Sequence, residues 1–86
     1  MPWTNSPHAL IFMIVKKKEF LISLGENIKC YRKETGLSQE SFAYKVGLDR
    51  SYYGSIERGE RNISIITLLK ISTALEVNIN SLIPTK

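Results

Sequence analysis

From Phe20 onward the apolar residues recur with helical period. Leu21, Leu24, Ile28 and Tyr31 fall at i, i+3, i+7 and i+10, on one face of a first helix that begins near Phe20. Gly36, after Lys33-Glu34-Thr35, suits the left-handed position that ends such a helix. Ser38 then stands as an N-cap for a second helix, with Gln39 and Glu40 in its first turn. Phe42, Ala43 and Val46 give that helix an inward side, and Gly47 stops it. Asp49 caps a third helix whose apolar side carries Tyr53 and Ile56 and whose end is Gly59. Ser64 caps a fourth, with a core stripe of Ile65, Leu68, Ile71 and Leu75 and with Leu69 beside it. A short fifth runs from about Asn78 through Ile79, Leu82 and Ile83 to Pro84. No segment alternates with period two. The expected fold is a compact all-α domain of five helices.

The first 18 residues, MPWTNSPHALIFMIVKKK, obey no such period. They divide the chain into an N-terminal extension (1–18) and a domain (19–86). Three readings of the extension stand side by side: a short strand or arm packed on the domain or a partner, a disordered leader, or a segment upstream of a true start at Met13. Lys16, Lys17 and Lys18 read as a solvated cluster or as an arm along DNA phosphates.

Composition narrows the classes. A chain of 86 residues makes one small, marginally stable domain, for which association into a dimer helps. Twelve bases against eight acids give a net charge of +4, which suits nucleic acid without requiring it. One cysteine, Cys30, and one histidine, His8, leave no internal disulfide and no Cys/His metal cluster, so no metal or cofactor is expected. Cys30 reads as an incidental thiol and His8 as a tail residue. The apolar run from Ala9 to Val15 is far too short to span a membrane, and its lysines follow rather than precede it, unlike a signal peptide. A reducing cytoplasm is the simplest compartment. Paired carboxylates, a nucleophile with its base, and a phosphate-cradling glycine loop are all lacking, which argues against an enzyme.

Two helices of eight or nine residues joined through a glycine turn form the helix-turn-helix arrangement. A small residue, Ala43, permits close crossing, and Gly47 tolerates positive φ. The outer face of the second member of the pair keeps Arg50, Ser51, Tyr52 and Ser55, hydrogen-bonding side chains at the end that enters a major groove. At this point LSQESFAYKVGLDRSYYGSIERGERNIS resembles the core of the Cro/cI-type (XRE) helix-turn-helix family, through Gln39, Ala43, Gly47 and Ile56-Glu57-Arg58-Gly59. The likeness covers Leu24 to Ile83. Within that family, GLDRSYYGSIERGERNIS is most similar to controller proteins of restriction-modification systems.

The resemblance implies a lambda-repressor-like domain and a role for each matched position. Arg50, Ser51, Tyr52 and Ser55 would meet bases, Arg50 by a bidentate grip on guanine O6 and N7. Gln39, Arg58, Arg61 and Asn62 would meet phosphates, the alternative for Arg58 and Arg61 being to serve only as cations that complement a helix C-terminus. Arg32 would pair with Glu57. Tyr53 replaces a usual branched aliphatic, and its hydroxyl is expected at the rim. Leu75, Ile79, Leu82 and Ile83 would form a symmetric dimer seam, so that a homodimer reads a double-stranded, pseudo-palindromic operator, and simple closure of the core is the other reading of the last helix. Glu40 stands where some relatives present an acid to RNA polymerase. The implied function is a transcription regulator of a restriction-modification operon that activates at low level and represses at high level. Rivals are a phage-type repressor or antitoxin of the same fold, and an adaptor whose helix-turn-helix face binds protein.

Overall fold

The computed structural model describes residues 7–85 and consists of α1 (Pro7–Thr35), α2 (Gln39–Val46), α3 (Arg50–Glu57), α4 (Ile65–Leu75) and α5 (Ile79–Leu82). No strand occurs among the described residues.

The first helix departs from expectation. It does not begin near Phe20 but runs unbroken from Pro7, so residues 7–18 are helical and form no strand. Pro7 occupies the first helical position, where its missing N–H is harmless and its fixed φ is already helical. No glycine or turn residue interrupts the chain until Gly25, and that glycine is held inside the helix by packing. What was expected of residues 1–6 lies outside the described residues. At about 1.5 Å per residue, 29 residues set the long axis of the molecule, 46 Å against 24 and 19 Å. Leu10 to Val15 all stand exposed on the projecting half.

One core lies beneath the other half. Leu24 and Ile28 of α1, Phe42 and Ala43 of α2, Tyr53 and Ile56 of α3, Leu68, Ile71 and Leu75 of α4 and Leu82 of α5 form a single buried cluster. Two expectations change here. In α4 the inward set is Leu68, Ile71, Ser72 and Leu75, at i, i+3, i+4 and i+7, while Ile65 and Leu69 point out, 67% and 51% exposed. Leu75 and Leu82, placed above in a dimer seam, are instead enclosed within the chain. The side-chain amide of Asn27 donates to the Leu82 carbonyl at 2.9 Å and ties α5 back onto α1, so the last helix closes this core. Ile79 and Ile83 remain half-buried at its edge.

The connections are short because each terminus satisfies its own backbone. Ser38, Asp49, Ser64 and Asn78 accept N–H bonds from residues two or three positions on, at 3.0–3.1 Å. After α2, Gly47 takes φ 84°, its N–H reaches the Tyr44 carbonyl and the Leu48 N–H reaches the Ala43 carbonyl. That doubly bonded left-handed cap turns the chain sharply into α3. The same cap closes α4 with Glu76 at φ 60° in the place glycine usually takes.

Gly25 explains how α1 and α3 sit so close. A Cβ there would lie 2.4 Å from the Glu57 carbonyl oxygen and 2.5 Å from that of Ile56. The contact is backbone against backbone, so no side-chain adjustment would relieve it.

Candidate nucleic-acid interface

The helix-turn-helix pair is α2 and α3, and its inner side is locked by one buried carboxylate. Glu57, the last residue of α3, is 5% exposed. Arg32 of α1 donates to it twice, Nε to Oε2 at 2.6 Å and Nη2 to Oε1 at 3.1 Å. Its Nη1 binds the Leu37 carbonyl at 2.8 Å. Gln39, first in α2, donates Nε2 to Oε1 at 2.8 Å, and the Tyr53 hydroxyl donates to Oε2. Three helices therefore converge on one side chain, in the bidentate guanidinium–carboxylate geometry that makes the strongest ion pairs.

Burial alone would raise the Glu57 carboxyl. The hydrogen bonds from Arg32, Tyr53 and Gln39, together with the Arg32 charge, outweigh it and hold the carboxyl below the ordinary carboxylate range. Burial, then the bond to this carboxylate, pushes the Tyr53 hydroxyl above its ordinary value. The tyrosine hydroxyl expected at the rim is thus inside. Tyr53 is fully buried with its ring 5.2 Å from that of Phe42, and it needs no path to solvent because Glu57 accepts its hydrogen bond.

The outer side of α3 is simpler. Arg50 and Ser51 are exposed, and Asp49 caps the helix just before them. Tyr52 is half-buried, with the Arg61 guanidinium 5.6 Å from its ring centre. Ser55 differs from the others. It is 5% exposed, its hydroxyl donates to the Tyr52 carbonyl at 2.6 Å, and it accepts from Arg61 Nε at 3.3 Å. The loop after α3 folds Arg61 back over the helix and covers that serine, which therefore does not stand on the open face with Arg50 and Ser51. Arg58 and Asn62 are exposed at the end of α3 and in the following loop, and Arg58 meets Glu60 at 3.1 Å. Gln39 lies beside Arg58, since a Cβ on Gly54 would come 3.3 Å from Arg58 Nη1 and 3.5 Å from Gln39 Oε1. Glu40 is exposed on the first turn of α2.

Sequence reasoning passed over Gly25 and Tyr44. A glycine inside a helical pattern costs about 1 kcal/mol against alanine and is kept for a packing reason, which was the available signal for Gly25. Tyr44 stands 89% exposed on α2 and nothing in the sequence pattern separated it from its neighbours. Among the described residues no three His, Cys, Asp or Glu side chains lie close enough to hold a metal ion, and no helix is long and apolar enough to cross a membrane. The site offers charge, hydrogen bonds and shape, the materials of recognition.

Comparison with known proteins agrees with this fold. The helix-turn-helix family model matches residues 28–82. Control protein C.MunI of Mycoplasma sp is 52% identical over 62 residues, covering 71% of this chain and 84% of that protein. The crystal structure of the restriction-modification controller protein C.AhdI from Aeromonas hydrophila superposes with a TM-score of 0.70 at 45% identity, covering 72% of this chain and 94% of that one. The restriction-modification controller protein C.Esp1396I, solved as a tetramer in complex with its natural 35 base-pair operator, superposes at 0.67 with 41% identity, covering 73% of this chain and 83% of that one. The chain belongs to the helix-turn-helix family, and the relatives it resembles there include control proteins of restriction-modification systems.

Proposed function

We propose that the chain is a cytoplasmic, homodimeric, sequence-specific regulator that binds double-stranded DNA and controls transcription of a restriction-modification operon, its own gene included, activating at low level and repressing at high level. The observation that carries this reading is the division of α3, whose exposed start presents Arg50 and Ser51 while its end is fixed by the Glu57 hub. A rigidly seated helix with a polar, cationic leading end is what major-groove readout requires. Arg50 and Ser51 read bases, with Tyr52 at their flank. Gln39, Arg58, Arg61 and Asn62 hold phosphates and set orientation and salt dependence. Ser55 supports Arg61 rather than touching a base.

In this reading residues 19–86 bind DNA and dimerise, and residues 1–18 are an extension to them. The seam shifts from the enclosed Leu75 and Leu82 to the open face of α4. Ile66 and Leu69, 59% and 51% exposed, lie one turn apart there and border a shallow groove with Val46 of α2, while Ile65 borders a separate groove with the half-buried Ile83. That patch is apolar enough to be covered by a second copy. Glu40 contacts RNA polymerase, so Glu40→Lys should abolish activation and leave operator affinity intact.

The test is selection from random duplex DNA, run in parallel with Arg50→Ala. A two-fold symmetric consensus that relaxes at one position in each half supports the reading. No enrichment at moderate salt refutes it.

A further inference from the structure

Lys17 and Lys18 did not enter the site described above, yet the fold places them beside it. They line a groove of about 560 Å³ with Ile14, Leu21, Ile22, Arg58, Gly59, Glu60 and Asn62. The groove exists because Gly59 lets the end of α3 approach α1 closely. A Cβ on Gly59 would lie 2.6 Å from Ile22 Cα, and its φ is 76°. Three cations face one carboxylate here, and that carboxylate, Glu60, is already engaged by Arg58 on the surface.

The groove continues a polar line. Gln39, at the start of α2, and Arg58 both flank Gly54, and Arg58 also borders the groove with Lys17 and Lys18. Arg61, next to Asn62 in sequence, joins the same loop to the Tyr52 side of α3. The groove floor is aliphatic and its rim is cationic. A sugar-phosphate backbone has the matching character, with apolar deoxyribose faces and anionic oxygens.

We propose that Lys17 and Lys18 of α1 extend the DNA-contacting surface and hold backbone phosphates of the duplex that flanks each half-site. The inference rests on the DNA-binding reading and adds to it a surface outside the helix-turn-helix pair, on a segment of α1 that precedes the family match at residue 28. These contacts lengthen the footprint and steepen the salt dependence without choosing sequence, because phosphates carry no base identity.

The test uses the full chain and its selected consensus duplex in two lengths, one trimmed to the half-sites and one extended by about one helical turn on each side. Affinity is followed against salt for the wild type, for Lys17→Gln/Lys18→Gln, and for the charge-matched control Lys29→Gln/Lys33→Gln, whose exposed lysines lie on α1 away from the groove. Each lost phosphate contact lowers the slope of log K against log salt by about 0.9, so the groove variant should lose roughly 1.8 per protomer on the long duplex. It should match the wild type on the trimmed one, and the control should change neither difference. All four lysines are exposed, so folding is expected to persist and circular dichroism checks it. An unchanged slope on the long duplex, or an equal loss from the control pair, overturns the inference and leaves the DNA-binding reading standing. Absence of duplex binding by the wild type overturns both.

Discussion

Tyr53 and Glu57 show what a single residue contributes. A branched aliphatic at position 53 would fill less of the space and leave the Glu57 carboxylate one donor short. Tyr53→Phe should therefore cost about 1–3 kcal/mol, read from denaturant midpoints, because a buried acceptor loses its partner. The pH dependence follows from the directions of the shifts. Glu57 titrates lower in the folded chain than its unfolded value of about 4.3, so its contribution is complete above that pH and is lost as pH falls through the folded pKa. Tyr53 is raised, so its contribution is complete below its unfolded value of about 10 and is lost as pH rises beyond it. Thermal unfolding from pH 3 to 11 should show both limbs, and Tyr53→Phe should weaken the alkaline one. The sequence identified the Arg32–Glu57 pair through family likeness. It could not place the tyrosine hydroxyl, because a buried phenol is excluded only where no acceptor lies beside it, and Glu57 supplies one from the next turn.

Among the elements, α2 to α5 were legible because their ends are chemically marked. Ser38, Asp49, Ser64 and Asn78 cap them, and Gly47 and Gly59 take positive φ at their turns. The start of α1 was not legible. Ala9 to Val15 is apolar at every position, so no period separates helix from strand. Two glycines in or near α1 are predicted to respond differently to alanine. Gly25→Ala forces a Cβ into two carbonyl oxygens and should remove about 3 kcal/mol or more, seen as a large fall in melting temperature. Gly36→Ala meets nothing within 4 Å and should cost only the strain of its φ of 82°, about 1 kcal/mol. Conversely Glu76→Gly, at the left-handed cap of α4, should leave stability unchanged or raise it by up to about 1 kcal/mol.

On the scale of the whole molecule, which face of α4 is inside depends on α1, α2 and α5 together. Local sequence could not decide it, since apolar residues occupy both sides of that helix. Leu68 and Leu69 are neighbours in sequence, 5% and 51% exposed. The distinction yields a paired prediction. Leu82→Ala should destabilise the fold by about 2–5 kcal/mol whatever the oligomeric state. Leu69→Lys should leave monomer stability nearly unchanged and shift sedimentation from dimer to monomer at micromolar concentration. A variant that stays dimeric would place the seam elsewhere.

The partition within α3 carries a consequence for how such a protein acquires new targets. Tyr53, Gly54, Ser55, Ile56 and Glu57 are all buried, whereas Arg50 and Ser51 are open. If Arg50 and Ser51 read bases as proposed, recognition and architecture are encoded by separate letters of one eight-residue word. Substitutions at the two open letters touch no core contact and should be nearly neutral for folding, so on the proposed reading one or two of them would change the address while every intermediate remains a folded protein.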